Sequence, residues 1–241
     1  MNYSYPDIAG MIDHSLLNPA LTTAELEAGC RLALEYEVAS VCLQPYYLAR
    51  CAQLVQGSGV RPSTTIGFPH GGQATSTKLA EVEQALRDGG AELDMVINIG
   101  KARSGDWEYL RHEIEALTSA THAGGAKIKV IFENAYLDDA TKIRLCEICG
   151  EIGVDWVKTS TGYAPTGATL ADVTLMRRHS PAQVEVKAAG GVRTLDALLE
   201  MRAIGATRIG ASATARILDE CRMRLGMPAK TASPEVVISG Y

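Results

Sequence analysis

An unbroken alternation of short β-rich runs with longer helix-patterned segments constrains this chain more than any other feature. The β-rich runs are residues 11–13, 39–43, 63–66, 93–97, 128–132, 155–158, 185–187 and 207–210. Between them, in stretches such as 22–37, 76–89, 106–123, 140–151, 169–179 and 194–204, apolar residues recur at three- and four-residue steps, the period of an amphipathic helix. Helix punctuation agrees with the division: Thr22 and Glu25 have capping-box spacing, Thr194 precedes Leu195 and Asp196, and Gly89, Gly90 and Gly205 follow helical runs. Eight such units in 241 residues predict an α/β fold, a single-domain (β/α)8 TIM barrel spanning residues 1–241. An open doubly wound sheet would have fewer strands and a Gly-x-Gly-x-x-Gly fingerprint, which the chain lacks. Residues 230–241 carry Pro, Ser and Gly and read as a mobile C-terminal tail.

Composition then narrows the function classes. With 23 basic against 28 acidic residues the net charge is -5, which argues against nucleic acid or an anionic membrane as a partner. The chain has neither an apolar run of ~18 residues nor the basic and apolar regions of a signal peptide, so a cytoplasmic protein is expected. Its six cysteines are too few for a disulfide scaffold at this length and read as core thiols.

In a barrel the active site forms where strands end and βα loops begin. Those ends supply Asp13, His14, Cys42, Asp94, Asn98, Glu133, Lys158 and Lys187. Lys158 and Lys187 close short apolar strands on consecutive units, so their ammonium groups should approach each other over the barrel mouth. An ordinary lysine, with pKa ~10.4, is only about 0.04% neutral at pH 7 and is a poor nucleophile. A neighbouring ammonium and burial both lower that pKa, and a shift of ~3 units corresponds to about 4 kcal/mol. The pair therefore suits Schiff-base chemistry, although lysines in such places also pair with carboxylates or bind phosphate.

Two glycine-rich turns flank the pair. Ala189-Gly190-Gly191-Val192 follows the seventh strand and Gly210-Ala211-Ser212-Ala213 the eighth, where barrels commonly hold phosphate on backbone N–H groups. Arg193 would add charge to such a cup. Other signals are weaker. Gly162 and Gly167 have P-loop spacing, but Ala168 stands where the phosphate-binding lysine must be. Cys146 and Cys149 lie inside a helical pattern and read as buried thiols rather than a redox pair. The five histidines, His14, His70, His112, His122 and His179, show no paired ligand spacing, so no metal is expected.

Seven motifs, in order, each at an expected strand end, resemble the deoxyribose-phosphate aldolase family of class I aldolases. They are Ile12-Asp13-His14-Ser15-Leu16-Leu17, Val41-Cys42-Leu43-Gln44-Pro45, Ile66-Gly67-Phe68-Pro69-His70-Gly71, Glu92-Leu93-Asp94-Met95-Val96-Ile97-Asn98, Val157-Lys158-Thr159-Ser160-Thr161-Gly162, Lys187-Ala188-Ala189-Gly190-Gly191-Val192-Arg193 and Arg208-Ile209-Gly210-Ala211-Ser212. The resemblance implies reversible cleavage of 2-deoxy-D-ribose 5-phosphate to acetaldehyde and D-glyceraldehyde 3-phosphate, on a (β/α)8 barrel and without metal or other cofactor. It implies Lys158 as the Schiff-base nucleophile, Lys187 as the group that depresses its pKa, and Asp94 as a proton-transfer residue. It gathers Gly162, Gly190, Gly191, Arg193, Gly210 and Ser212 around the phosphate. Some members end in a tyrosine on a mobile tail that assists protonation of the enamine, which makes Tyr241 a candidate.

The chain also departs from the family pattern. Asn18 stands where a lysine is expected, Gln44 where asparagine often precedes proline, Asn134 follows Glu133 in place of threonine, and Ala213 replaces a second serine of the phosphate cup. These differences bear on substrate identity more than on reaction type. Two alternatives therefore stand beside the leading reading: a lysine aldolase for another sugar phosphate or aldehyde, and a non-catalytic phosphometabolite-binding barrel. Barrels of this kind commonly pair through their helices, so a homodimer is the default expectation.

Overall fold

The computed structural model describes residues 2–230. Tyr241 and the rest of the expected tail beyond Lys230 lie outside the described residues. Eight strands, β1 (Ile12–Leu16), β2 (Ser40–Leu43), β3 (Arg61–Ile66), β4 (Glu92–Val96), β5 (Lys127–Ile131), β6 (Trp156–Lys158), β7 (Glu185–Ala189) and β8 (Arg208–Ala211), pair in parallel and in sequence order into a closed barrel. Around them run α1 (Tyr5–Ala9), α2 (Thr23–Tyr36), α3 (Leu48–Leu54), α4 (Thr75–Arg87), α5 (Ile99–Arg103), α6 (Trp107–Ala123), α7 (Asp139–Ile152), α8 (Leu170–His179), α9 (Leu195–Ala203) and α10 (Thr214–Arg224). The expected (β/α)8 architecture is therefore present.

The caps read from sequence are formed: Thr22 and Glu25 make a reciprocal capping box on α2, and the Thr194 hydroxyl accepts from Ala197 N on α9. Helices α1, α3, α5 and α10 were not expected. The first three are five to seven residues long, too short to display a period. In α10, Thr214, Ile217, Leu218 and Cys221 supply the buried stripe while arginines and acids fill the remaining surface. All six cysteines are buried and free.

Strand alternation divides the residues into two populations. Ile12, Val41, Leu43, Leu93, Met95, Ile128, Val130, Val157, Val186 and Ile209 face outward into one apolar layer beneath the helices. That layer is the hydrophobic core, each large aliphatic side chain contributing about 1.5–3 kcal/mol by leaving water. The inward positions are mostly polar, with the Trp156 ring set against Lys129 and Arg208. Register aligns Asp13 with Ser40, Thr65 with Asp94, Asp94 with Lys129, and Lys158 with Lys187. Barrel interiors are more often filled by branched aliphatic side chains; here charge fills the centre, and apolar packing is left to the sheet–helix layer.

Candidate active site

Lys158 is the last residue of β6 and is 3% exposed, its ammonium 2.8 Å from Asp94 Oδ2 on β4. Lys187 donates to the same oxygen at 2.6 Å and lies 2.6 Å from Asp13 Oδ2 on β1. The two lysines expected to approach each other thus share one carboxylate oxygen, because β6 and β7 are neighbours and both residues point inward. A third lysine, Lys129 of β5, donates to Asp94 Oδ1 at 2.9 Å from below.

Electrostatics separates the lysines. Burial is the largest influence on Lys158, and together with the Lys187 ammonium it carries the pKa below the ordinary lysine value against the pull of Asp94. Burial also works against the Lys187 ammonium, but Asp13 and Asp94 outweigh it and hold that pKa above the usual value. Desolvation opposes ionisation of Asp94 too, yet Lys129, Lys158 and Lys187 overcome it, and the carboxyl titrates well below its normal range. One neutralisable amine therefore sits against a fixed carboxylate and a fixed ammonium. That arrangement favours nucleophilic attack on a carbonyl.

A cavity of about 230 Å³ opens above the amines, and Lys158, Lys187, Gly162, Gly190, Gly191, Arg193, Gly210 and Ser212 all line it. Asp94 is not on the cavity wall; it lies beneath, fully buried, holding both amines. The glycines are needed by geometry. Gly162, Gly190 and Gly191 have φ of 94°, 86° and 84°, in the left-handed range that L side chains rarely adopt. A Cβ on Gly167 would lie 2.3 Å from Gly190 O, so the loops after β6 and β7 touch backbone to backbone. Ala168 N donates to both Ala189 O and Gly190 O at 3.0 Å, which locks that contact.

Several neighbours carry no role in the sequence reading. Glu133, held at φ 59°, accepts from Thr161 N at 3.2 Å and pairs with the Thr161 hydroxyl, anchoring the loop after β6. Burial raises the Glu133 pKa. The Tyr163 hydroxyl donates to Leu17 O at 2.7 Å, and its ring meets Phe68 edge-on with centroids 5.4 Å apart, so it braces the mouth between the loops after β1, β3 and β6. Gln44, one of the departures, donates to the same Leu17 carbonyl at 2.8 Å. Asn134 is turned away from the cavity, its amide against Met176 Sδ at 3.3 Å. Lys129 and Asp13 had a readable signal. In Lys127-Ile128-Lys129-Val130 charged residues alternate with apolar ones, Asp13 follows Ile12 in a short β-rich run, and a barrel strand must turn one of the two alternating sets inward.

The model of the DeoC/LacD family aldolase matches residues 8–217. The chain belongs to the DeoC/LacD aldolase family. It is 62% identical over 228 residues to a deoxyribose-phosphate aldolase of Rhodopirellula baltica, covering 95% of each chain. A deoxyribose-phosphate aldolase of Thermococcus gammatolerans is 43% identical over 218 residues, 90% of this chain and 97% of that one. Among solved structures, the tetrameric deoxyribose phosphate aldolase of Aeropyrum pernix superposes with a TM-score of 0.84 at 30% identity, over 91% of this chain and 92% of that one. Within this aldolase family frame, no group of three or more His, Cys, Asp or Glu suited to a metal occurs among the described residues, and no described helix is long and apolar enough to cross a membrane.

Proposed function

We propose that this aldolase reversibly cleaves 2-deoxy-D-ribose 5-phosphate to acetaldehyde and D-glyceraldehyde 3-phosphate, with Lys158 as the imine-forming amine. The observation that carries the reading is the triad at the cavity floor: a lysine of lowered pKa and a lysine of raised pKa on one oxygen of a buried carboxylate. Neutral Lys158 Nζ adds to C1 of the open-chain sugar, and loss of water leaves a protonated imine. The C3 hydroxyl proton leaves to a base, the C2–C3 pair flows to the iminium nitrogen, and C3 becomes the aldehyde of the departing triose phosphate. The enamine then takes a proton at C2, and water releases acetaldehyde and restores the amine. Asp94 would stabilise the iminium from below and take part in proton transfer, while Lys187 keeps Asp94 ionised and Lys158 unprotonated.

The Gly190–Gly191 turn after β7 and Gly210 of β8, with Gly162, Arg193 and Ser212, suit the phosphate. The same site suits the reverse condensation. Six buried free thiols suit a reducing compartment, so we place the enzyme in the cytoplasm. The test is to incubate the protein with acetaldehyde and borohydride and locate the reduced adduct by peptide mass spectrometry. An ethyl adduct on Lys158, absent in Lys158→Ala, is the expected result. No adduct in folded protein exposed to active reagent would overturn the assignment. Cleavage of deoxyribose as fast as deoxyribose phosphate would remove the phosphate cup from it.

A further inference from the structure

Beneath Lys158 the buried charges close into a ring. Asp13 Oδ1 lies 2.6 Å from Arg208 Nη1, and Arg208 Nη1 lies 2.9 Å from Glu92 Oε2. Glu92 Oε2 lies 2.6 Å from Lys129 Nζ, which lies 2.9 Å from Asp94 Oδ1. Asp94 Oδ2 meets Lys187 at 2.6 Å, and Lys187 returns to Asp13 Oδ2 at 2.6 Å. Three carboxylates alternate with three cations, every cation touching at least two carboxylates, and none of the six side chains is more than 9% exposed. The ring is neutral as it stands. Lys158 hangs from it by the single contact to Asp94, so a proton on Lys158 is the one charge in the cluster without a counter-charge of its own.

We propose that the whole ring, rather than Lys187 alone, keeps Lys158 in its unprotonated, nucleophilic form, with Arg208 and Glu92 acting as positioning residues from the far side of the barrel. Neither lines the cavity, so neither touches substrate. In a water-poor interior a surplus charge is costly and an imbalance acts over distance. Removing the Arg208 cation leaves the ring one negative charge in excess, which an ammonium on Lys158 would neutralise. Removing the Glu92 charge leaves it one positive charge in excess and disfavours the ammonium further.

The titration directions are in keeping: among the four cations of the cluster, Lys129, Lys187 and Arg208 are held above their ordinary values and Lys158 alone falls below. The remaining groups facing Lys158 are Cys42 of β2, whose thiol is pushed up by burial, and Glu133 after β5, whose carboxyl is also raised by burial. Arg61 reaches Glu92 Oε1 at 3.2 Å, but its side chain is 50% exposed, so solvent screens it. The same balance serves the later step. An iminium on Lys158 would carry the uncompensated charge that the ring disfavours, which makes it a stronger sink for the C2–C3 electron pair.

The inference rests on Lys158 being the imine-forming residue, and the experiment separates the two. The protein and its variants Arg208→Gln, Arg208→Lys and Glu92→Gln are treated with acetaldehyde and cyanoborohydride from pH 5 to 10, and the rate of adduct formation on the Lys158 peptide is measured. Arg208→Gln should move the midpoint of the rate profile up by about one unit, the size of a unit-charge interaction over ~12 Å at an effective dielectric near 20. Glu92→Gln should move it down, and Arg208→Lys should restore the wild-type midpoint. The opposite signs keep the idea testable if one variant does not fold. An adduct on Lys158 with the same midpoint in Arg208→Gln and Glu92→Gln would overturn the ring's role. An adduct missing from Lys158 in the wild type would instead remove the functional reading beneath it.

Discussion

Replacing Lys78 by methionine is expected to cost about 3–5 kcal/mol of folding stability, because it strands a buried charge. Lys78 of α4 is fully buried and donates to Glu113 Oε1 on α6 at 2.8 Å and to Val96 O at the end of β4 at 2.8 Å. Glu113 is equally buried, and its second oxygen accepts from Asn98 N at 3.0 Å. Burial dominates both titrations, lowering Lys78 and raising Glu113, with each partner working against that trend. Methionine keeps much of the stem that packs over Gly67, where an added Cβ would lie 2.7 Å from Lys78 Cε, so the packing change is small. For a chain of this size each kcal/mol moves the melting temperature by about 2–4 °C, which predicts a fall of about 6–20 °C.

Urea and thermal unfolding followed by circular dichroism would measure it. The deficit should shrink from pH 8 to pH 5, because the raised pKa of Glu113 lets the folded variant take up a proton as pH falls. The double variant Lys78→Met, Glu113→Leu should recover part of the loss, with a coupling of about 0.5–3 kcal/mol. A loss below about 1 kcal/mol in Lys78→Met, or strict additivity in the double variant, would refute the reasoning.

Lys187→Met frees Asp94 to stabilise the Lys158 ammonium. Cleavage of deoxyribose phosphate at pH 7 should fall about 10–100-fold, as a one- to two-unit rise in pKa requires, and recover as pH rises; a loss equally deep at pH 9.5 would exclude an electrostatic role. Gly167→Ala should force the loops after β6 and β7 apart, since its Cβ would meet Gly190 O at 2.3 Å. KM for the phosphorylated sugar should rise while cleavage of free deoxyribose changes little, and an equal effect on both substrates would contradict the phosphate assignment. His14, buried with Nδ1 2.8 Å from Thr214 Oγ1, has its pKa lowered to about 4 by burial. The folded state thus resists protonation that the unfolded chain accepts near ~6.5, so the contribution is complete above that pH and is lost as pH falls to about 4. Relative to His14→Asn, the wild type should lose about 3 kcal/mol more across that window; parallel unfolding curves would show that His14 does not titrate this way.

Much of the barrel is legible because its signals are local. A strand pattern, a helix period and a capping threonine each occupy a few consecutive residues, so β2, β5, α2 and α6 are recognisable from the chain alone. The same holds for Lys158 and Lys187: Lys158 ends β6, Lys187 lies two residues short of the end of β7, and the register of these neighbouring parallel strands sets the two side by side. The glycine turn after β7 is visible for the same reason, since positive φ selects glycine at Gly190 and Gly191, whereas Gly210, expected in a turn, lies inside β8. Short α3 and α5 escape notice because five to seven residues cannot display a period. Helix α10 does carry a readable stripe, Thr214, Ile217, Leu218 and Cys221 at helical spacing, set in an otherwise charged run.

What sequence determined by itself, then, is the order of the elements, the closed barrel they imply, and two lysines at one end of it. Which of those lysines is the nucleophile was implied by family motifs, and the physical reason for the difference lies only in the assembled molecule. Lys158 and Lys187 have similar local surroundings in the chain, yet the fold sets Lys187 between Asp13 and Asp94 and leaves Lys158 with a share of Asp94 alone. The fold likewise brings Glu92, Lys129 and Arg208, from three separate strands, into one closed circuit of charge. Charge balance is a sum over groups distant in sequence and adjacent in space, weighted by how completely water is excluded. No stretch of residues contains that sum, so only closing the barrel decides which amine gives up its proton more readily.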